Sequence, residues 1–288
     1  MSFSILSFRK RRRPSRLSRR KWRKRIAYTG FALSSLLLLF TVVARQANNE
    51  DILITSLVVE GNALIPTEAI RERANEALSG YYFLLFPKRN TFLFREKTLV
   101  SSLKDSFPAI GSLELQKISL SGLKIVVHER QPFAIWCPSG SQGGDSRSTD
   151  CYFLDREGML FTEAPHFSSG VYLRFESAAT DSSVLGNFVM PPERFSEFLF
   201  FLKSFKPLGL DVSQIVIEKG AGNIEDYTLV LTKGTKLYIN ALQSLEATLQ
   251  NVSTFFTDPE IAMKKEAFLE RVAYVDFRFW NKVYYRYR

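Results

Sequence analysis

The sequence predicts an α+β protein whose two extramembrane units follow a single membrane-spanning helix, and three observations carry that prediction. Residues 26–44, IAYTGFALSSLLLLFTVVA, run for nineteen positions without a charge. Residues 51–130 read as strand, helix, helix, strand, strand. Residues 131–288 are mostly short apolar or alternating runs, interrupted twice by helical periodicity, and are expected to form an extended antiparallel sheet carrying two helices.

The uncharged run comes first. Nineteen helical residues rise roughly 28 Å, close to the ~30 Å hydrocarbon core of a bilayer. Inside that core every peptide group needs an internal partner, so a helix is expected. Twelve cations precede the run, from Arg9 to Arg25, with no acid among them, whereas only Arg45 stands between the run and Glu50. Positive charge stays on the cytoplasmic side, which predicts an N-terminus inside and everything after about Gln46 outside. A cleaved secretory signal, cut after Val42-Val43-Ala44, is the competing reading. Such signals have apolar regions of about 7–15 residues, shorter than this one.

The formal net charge of +10 belongs to the tail: 39 Lys and Arg less those twelve leaves 27 against 29 Asp and Glu. A basic run beside a span is accounted for by topology and by attraction to anionic headgroups, so no nucleic-acid partner is expected. Residues 1–25 are expected to be disordered.

In the first unit, DILITSLVVEGN is a β-branched strand closed by Gly61-Asn62. PTEAIRERANEALSG then places Ile70, Ala74, Ala77 and Leu78 on one helical face, ending at Gly80. REKTLVSSLKDSF gives a second helix with Leu99 and Leu103 inward, and the strands SLELQKISL and GLKIVVHER follow, the latter with Leu123, Ile125 and Val127 on one face. Between the helices, the aromatic stretch 81–94 is expected to lie across the small sheet and complete its core, with an exposed recognition surface as the alternative.

In the second unit, FAIW, CYFL, GMLF, VYLRF, QIVIE, YTLVL, KLYI, AYVDFRFW and KVYYRYR read as strands. PERFSEFLFFLKSFKPLG and ALQSLEATLQNVSTFF read as helices, the second with Leu242, Leu245, Leu249 and Val252 on one face. No strand follows the last run. Its residues Val283, Tyr284, Tyr285, Arg286 and Tyr287 are therefore expected at a sheet edge, open to a partner strand or guarded by Arg286 and Arg288.

Chemistry-bearing patterns are sparse. The histidines are His128 and His166, and neither stands at metal-ligand spacing. Neither a nucleophile elbow nor a phosphate- or dinucleotide-binding glycine loop occurs, and Asp155 and Glu157 in LDREG read as turn residues before Gly158. Catalytic residues, metal, cofactor and small-molecule substrate are accordingly not expected. Cys137 and Cys151 bracket the polar insert PSGSQGGDSRSTD between two runs that read as hairpin partners, so a disulfide is expected if the compartment is oxidising.

In their order, the basic tail, span, strand-helix-helix-strand-strand unit and β-rich unit resemble the FtsQ/DivIB family of bacterial cell-division proteins over nearly the whole chain. LVVEGNALIPTEAI and LKIVVHERQPFAIW resemble the opening and close of a POTRA domain, CYFLDREGMLF the turn after it, and VAYVDFRFWNKVYYRY the closing pair of strands. The aromatic stretch and the cysteine-bracketed loop depart from that pattern. The resemblance implies a non-enzymatic scaffold of the division septum. Its POTRA domain, residues 51–130, would help recruit it, and the end of its β domain, residues 131–288, would bind FtsB/DivIC-like and FtsL-like partners. A POTRA-bearing envelope protein of transport or chaperoning is the alternative, disfavoured because no barrel-sized set of strands follows.

Overall fold

The computed structural model describes residues 16–139, 151–165, 167, 170–178, 184–219, 224–280 and 282–288. The long first helix, α1 (Arg16–Ala47), begins ten residues before the apolar run. The tail is thus helical from Arg16 where disorder to residue 25 was expected: after Pro14 no proline or glycine interrupts the chain before Gly30. Residues 1–15 lie outside the described residues. Within α1, Lys24–Ala47 is the one helical segment among the described residues long and apolar enough to cross a membrane. The hydroxyls of Thr29, Ser34 and Thr41 donate to the carbonyls of Ile26 (3.0 Å), Phe31 (2.9 Å) and Leu38 (2.8 Å), so these polar side chains are satisfied within the helix.

The first unit contains β1 (Ser56–Glu60), α2 (Thr67–Ala77), β2 (Tyr81–Tyr82), β3 (Phe86–Pro87), α3 (Glu96–Ser106), β4 (Ile110–Lys117) and β5 (Gly122–Glu129). Its sheet order is β1-β5-β4, with β1 parallel and β4 antiparallel to β5. Ile70 and Ala74 of α2 and Leu99 and Leu103 of α3 share one core with Leu57, Leu123, Ile125 and Val127 of the strands. Glycine is required at position 61, where φ is +84° and a Cβ would stand 2.4 Å from the Val127 carbonyl oxygen.

The aromatic stretch does not complete this core. Phe94 is buried there, but Phe83, Leu84, Phe92 and Leu93 are exposed, and β2 and β3 form a separate two-residue hairpin. Two strands this short have no face to lay across a sheet, and the stretch instead packs against the end of α1.

The second unit contains β6 (Ala134–Pro138), β7 (Cys151–Leu154), β8 (Leu160–Ala164), β9 (Leu173–Ser177), α4 (Pro192–Lys203), β10 (Val212–Lys219), β11 (Glu225–Leu231), β12 (Lys236–Asn240), α5 (Leu245–Thr257), α6 (Pro259–Ala262), α7 (Lys265–Arg271), β13 (Val272–Asp276) and β14 (Tyr284–Tyr287). One nine-stranded sheet runs β14-β13-β12-β11-β10-β9-β6-β7-β8. It is mixed and not the antiparallel sheet expected, because β9 runs parallel to both β10 and β6, and β12 parallel to β13. Helical crossovers produce two of these pairs: α4 joins β9 to β10, and α5 to α7 join β12 to β13.

Among the described residues of this unit, four α-helices replace the two expected. A seven-residue helix such as α7 and a four-residue one such as α6 complete too few turns to show a 3.6-residue period. Helix α5 begins at its Ser244 cap, whose hydroxyl accepts from the Ala247 N–H at 3.1 Å. Leu242 consequently stands before the helix and is exposed, and the buried face is Thr248, Val252 and Phe256. This face and Phe195, Phe198 and Phe201 of α4 belong to one core with Trp136, Phe175, Ile215, Leu229, Leu237 and Val275. Tyr227 in the interior strand β11 is also buried; its hydroxyl donates to Glu225 (2.7 Å) and accepts from Arg194 (2.5 Å). Burial first, and then the Glu225 carboxylate, push its pKa above the ordinary phenol range.

The two units share side chains at their junction. Phe161 of β8 is buried in the first unit's core and Phe153 packs against it. Arg130, just after β5, pairs with the buried Asp155 and lies 3.0 Å from Glu157. Cys137 and Cys151 are bonded at a Cα separation of 4.4 Å, one step beyond the Trp136–Tyr152 pair of the β6–β7 ladder.

Candidate partner-binding site

The end of the nine-stranded sheet is built by a local polar turn. Asp276 ends β13, and both its oxygens accept from Arg278: Nε at 3.0 Å and Nη2 at 2.7 Å, with the Arg278 backbone N–H also at 3.0 Å. Arg278 reaches Asp226 at 3.1 Å and lies over the Tyr238 ring. Hydrogen bonding to Asp276 holds its pKa above the ordinary arginine range, so the guanidinium remains a fixed cation. This turn is why the expected strand over 273–280 stops at Asp276. Only Phe277 then stays buried, and Phe279 and Trp280 project outward.

After the turn the chain returns as β14, antiparallel to β13, with Asp276 opposite Tyr284, Val275 opposite Tyr285, Tyr274 opposite Arg286 and Val272 opposite Tyr287. Opposed residues share a sheet face. Tyr285 and Tyr287 thus lie on the helix side with the buried Val275 and Val272, and Tyr284 and Arg286 on the other. Rings of Phe255 (α5) and Phe268 (α7) meet Tyr285 at 6.1 and 5.5 Å, and Phe268 meets Tyr287 at 6.4 Å. On the opposite face Tyr284 packs edge-on against Phe279 at 5.1 Å.

Of the five residues expected to bind a partner, Val283 is partly buried against the core and Tyr284, Tyr285, Arg286 and Tyr287 are exposed. Tyr285 and Tyr287 point toward the helices yet remain 46 % and 56 % exposed. They form one wall of a groove of about 1050 Å³ whose other wall comes from α5 to α7 and includes Phe255, Ile261, Lys264, Phe268 and Arg271. Trp280, 70 % exposed, also lines it. Lys264, Arg271, Lys282 and Arg288 outnumber Asp258 and Glu260 among the lining charges, so the groove is mildly cationic.

The backbone adds an open sheet edge beside the groove. Arg288 donates its N–H to the Arg271 carbonyl at 2.8 Å, which points it into the sheet. In an antiparallel ladder the inward positions alternate, so Arg286 and Tyr284 also face β13, and the N–H and C=O of Tyr285 and Tyr287 face outward. No strand among the described residues pairs with that outer edge. Arg288 does not guard it, since its side chain donates to the Lys233 carbonyl at 2.9 Å.

The helical wall was not visible in the sequence. Phe255, Phe268, Arg271 and Trp280 carry no common spacing, and exposure of a tryptophan inside an apolar run leaves no sequence signal. The remaining candidates fall elsewhere. Cys137 and Cys151 lie at the far side of the sheet, and Asp155 is a turn residue whose Oδ1 accepts from the N–H groups of Glu157 and Met159, both at 2.9 Å. His128 is exposed and 3.6 Å from Glu114, and His166 lies outside the described residues. Among the described residues no group of His, Cys, Asp and Glu is placed to hold a metal ion. No protein-family model matches the chain, and no curated protein matches it.

Proposed function

We propose that the chain is a non-enzymatic, bitopic scaffold of the bacterial divisome, of the FtsQ/DivIB type, with its N-terminus in the cytoplasm and its two folded units outside. The observation that carries this reading is the unpaired outer edge of β14 beside an aromatic, mildly cationic groove. A partner strand adding to this edge gains main-chain hydrogen bonds from Tyr285 and Tyr287, and alternate side chains of that strand enter the groove. The partner is an FtsB/DivIC-like or FtsL-like segment bearing apolar and acidic residues. The twelve cations before the span support the orientation, and the β1-β5-β4 sheet with α2 and α3 on one side is consistent with a POTRA domain.

The test uses the full-length chain fused to a fluorescent protein in dividing cells. Enrichment at the septum, with capture of an FtsB-like partner that is lost on deleting residues 283–288, is the expected result. Uniform envelope fluorescence would overturn the divisome reading. Septal enrichment with undiminished capture by the truncated chain would instead move the contact away from β14.

A further inference from the structure

We propose that the β2–β3 hairpin and the loops beside it form a second, non-spanning membrane contact that seats the first unit on the outer leaflet of the bilayer crossed by α1. The proposal rests on reading α1 as a membrane span. Phe40 lies four residues before the end of the apolar run, about 6 Å below it along the helix axis. Its ring meets that of Phe86 edge-on at 5.6 Å. The Asn48 side chain donates to the Leu85 carbonyl and the buried Asn90 side chain to the Ala47 carbonyl, both at 2.9 Å. The hairpin is thus clasped to the last turns of the span, at the boundary between acyl chains and headgroups.

The tip at that level is unsuited to water. Phe83 and Leu84 are 89 % and 91 % exposed, and both hold left-handed backbone angles, φ +49° and +63°. Bulky side chains rarely adopt that region, and strain of this kind concentrates where a segment is held for a purpose. With Cα atoms 3.8 Å apart, Leu84 stands within about 8 Å of Phe86 and hence of the bilayer boundary.

Neighbouring loops extend the same surface. Thr91 donates to the Leu120 carbonyl through its hydroxyl and to the Ile52 carbonyl through its N–H at 2.9 Å, which joins the segment carrying the exposed Phe92 and Leu93 to the loop carrying the exposed Ile118 and Leu120, one residue from the Asn90 that binds the end of α1. Lys117, held at 3.0 Å by the Thr91 carbonyl, and Arg95, over the Tyr82 ring at 5.3 Å, add cations suited to anionic headgroups. An apolar tip with basic flanks, continuous with a span, is the pattern of an interfacial membrane contact.

The experiment places the full-length chain, with Cys137–Cys151 kept oxidised, in vesicles of phosphatidylcholine and phosphatidylglycerol. An environment-sensitive fluorophore is attached at Leu84→Cys and, separately, at Phe83→Cys. Leu37→Cys in the span and Lys97→Cys on the exposed side of α3 serve as references. Labels at 83 and 84 are expected to be quenched severalfold more by doxyl lipid, and severalfold less by aqueous iodide, than the label at 97. If 37 is quenched by lipid while 83 and 84 follow 97, the hairpin lies in water and the contact is wrong. If 37 also follows 97, the span reading fails and the contact falls with it.

Discussion

The two edges of the nine-stranded sheet are treated in opposite ways. At β8 the chain covers itself: Leu160 donates to the Asn187 carbonyl at 2.9 Å, Gly186 donates back to the Leu160 carbonyl at 2.7 Å, and Phe161 is buried in the first unit's core. At β14 no strand among the described residues pairs with the outer backbone, and its side chains line a groove. Exposed edges invite unwanted pairing, and folds ordinarily cover, charge or twist them. One edge is bonded at Leu160 by the protein's own chain and the other is left open beside aromatic side chains, a contrast that supports placing the proposed partner strand at the open edge.

The strongest way to break this contrast is to remove the open edge's outward backbone donor. Tyr285→Pro should abolish detectable capture of an FtsB-like partner. Tyr285→Val, which keeps the N–H, should weaken it by about 2 kcal/mol, roughly thirtyfold in Kd. Equal losses in the two variants, measured by titration calorimetry, would show that side chains alone make the contact.

Loosening the sealed edge tests the other half. Asp155→Ala strands Arg130 without its buried partner and should destabilise the protein by about 3–5 kcal/mol in denaturant unfolding. Hydrogen exchange should rise first at β7 and β8, and the β14 edge should stay unchanged. A smaller loss at the same end of the sheet is expected from Cys137→Ser, about 3 kcal/mol in the chain-entropy model for the loop closed by residues fourteen apart. The smallest effect lies in the interior of the sheet. Because folding raises the Tyr227 pKa, the unfolded chain loses that proton first as pH passes about 10, and stability falls from there upward. Tyr227→Phe should therefore flatten the alkaline slope by at most about 1.4 kcal/mol per pH unit. Parallel curves for the two proteins would show that the fold leaves the Tyr227 phenol unshifted.

Much of the first unit was legible because its periods are long enough to read. Ile70 and Ala74, Leu99 and Leu103, and the alternation of Leu123, Ile125 and Val127 all predicted residues that are buried. The long apolar helix was legible for a similar reason, since nineteen uncharged residues without proline have few alternatives. Where elements are short, local pattern failed: α6 and α7 lack a readable period, and the run 273–280 looked like one strand although Arg278 folds back on Asp276 after its fourth residue.

Local pattern was enough for the long apolar helix, for the two helices and three long strands of the first unit, and for the position of Tyr284 to Tyr287 in the last strand, because periodicity acts between near neighbours. Packing between distant segments makes the large sheet mixed, leaves Phe83 and Leu84 exposed on a hairpin held to α1, and sets Tyr285 and Tyr287 against Phe255 and Phe268 in a groove. Those features depend on which strands the crossover helices bring together and on contacts between residues far apart in the chain, and spacing along the chain carries no record of them.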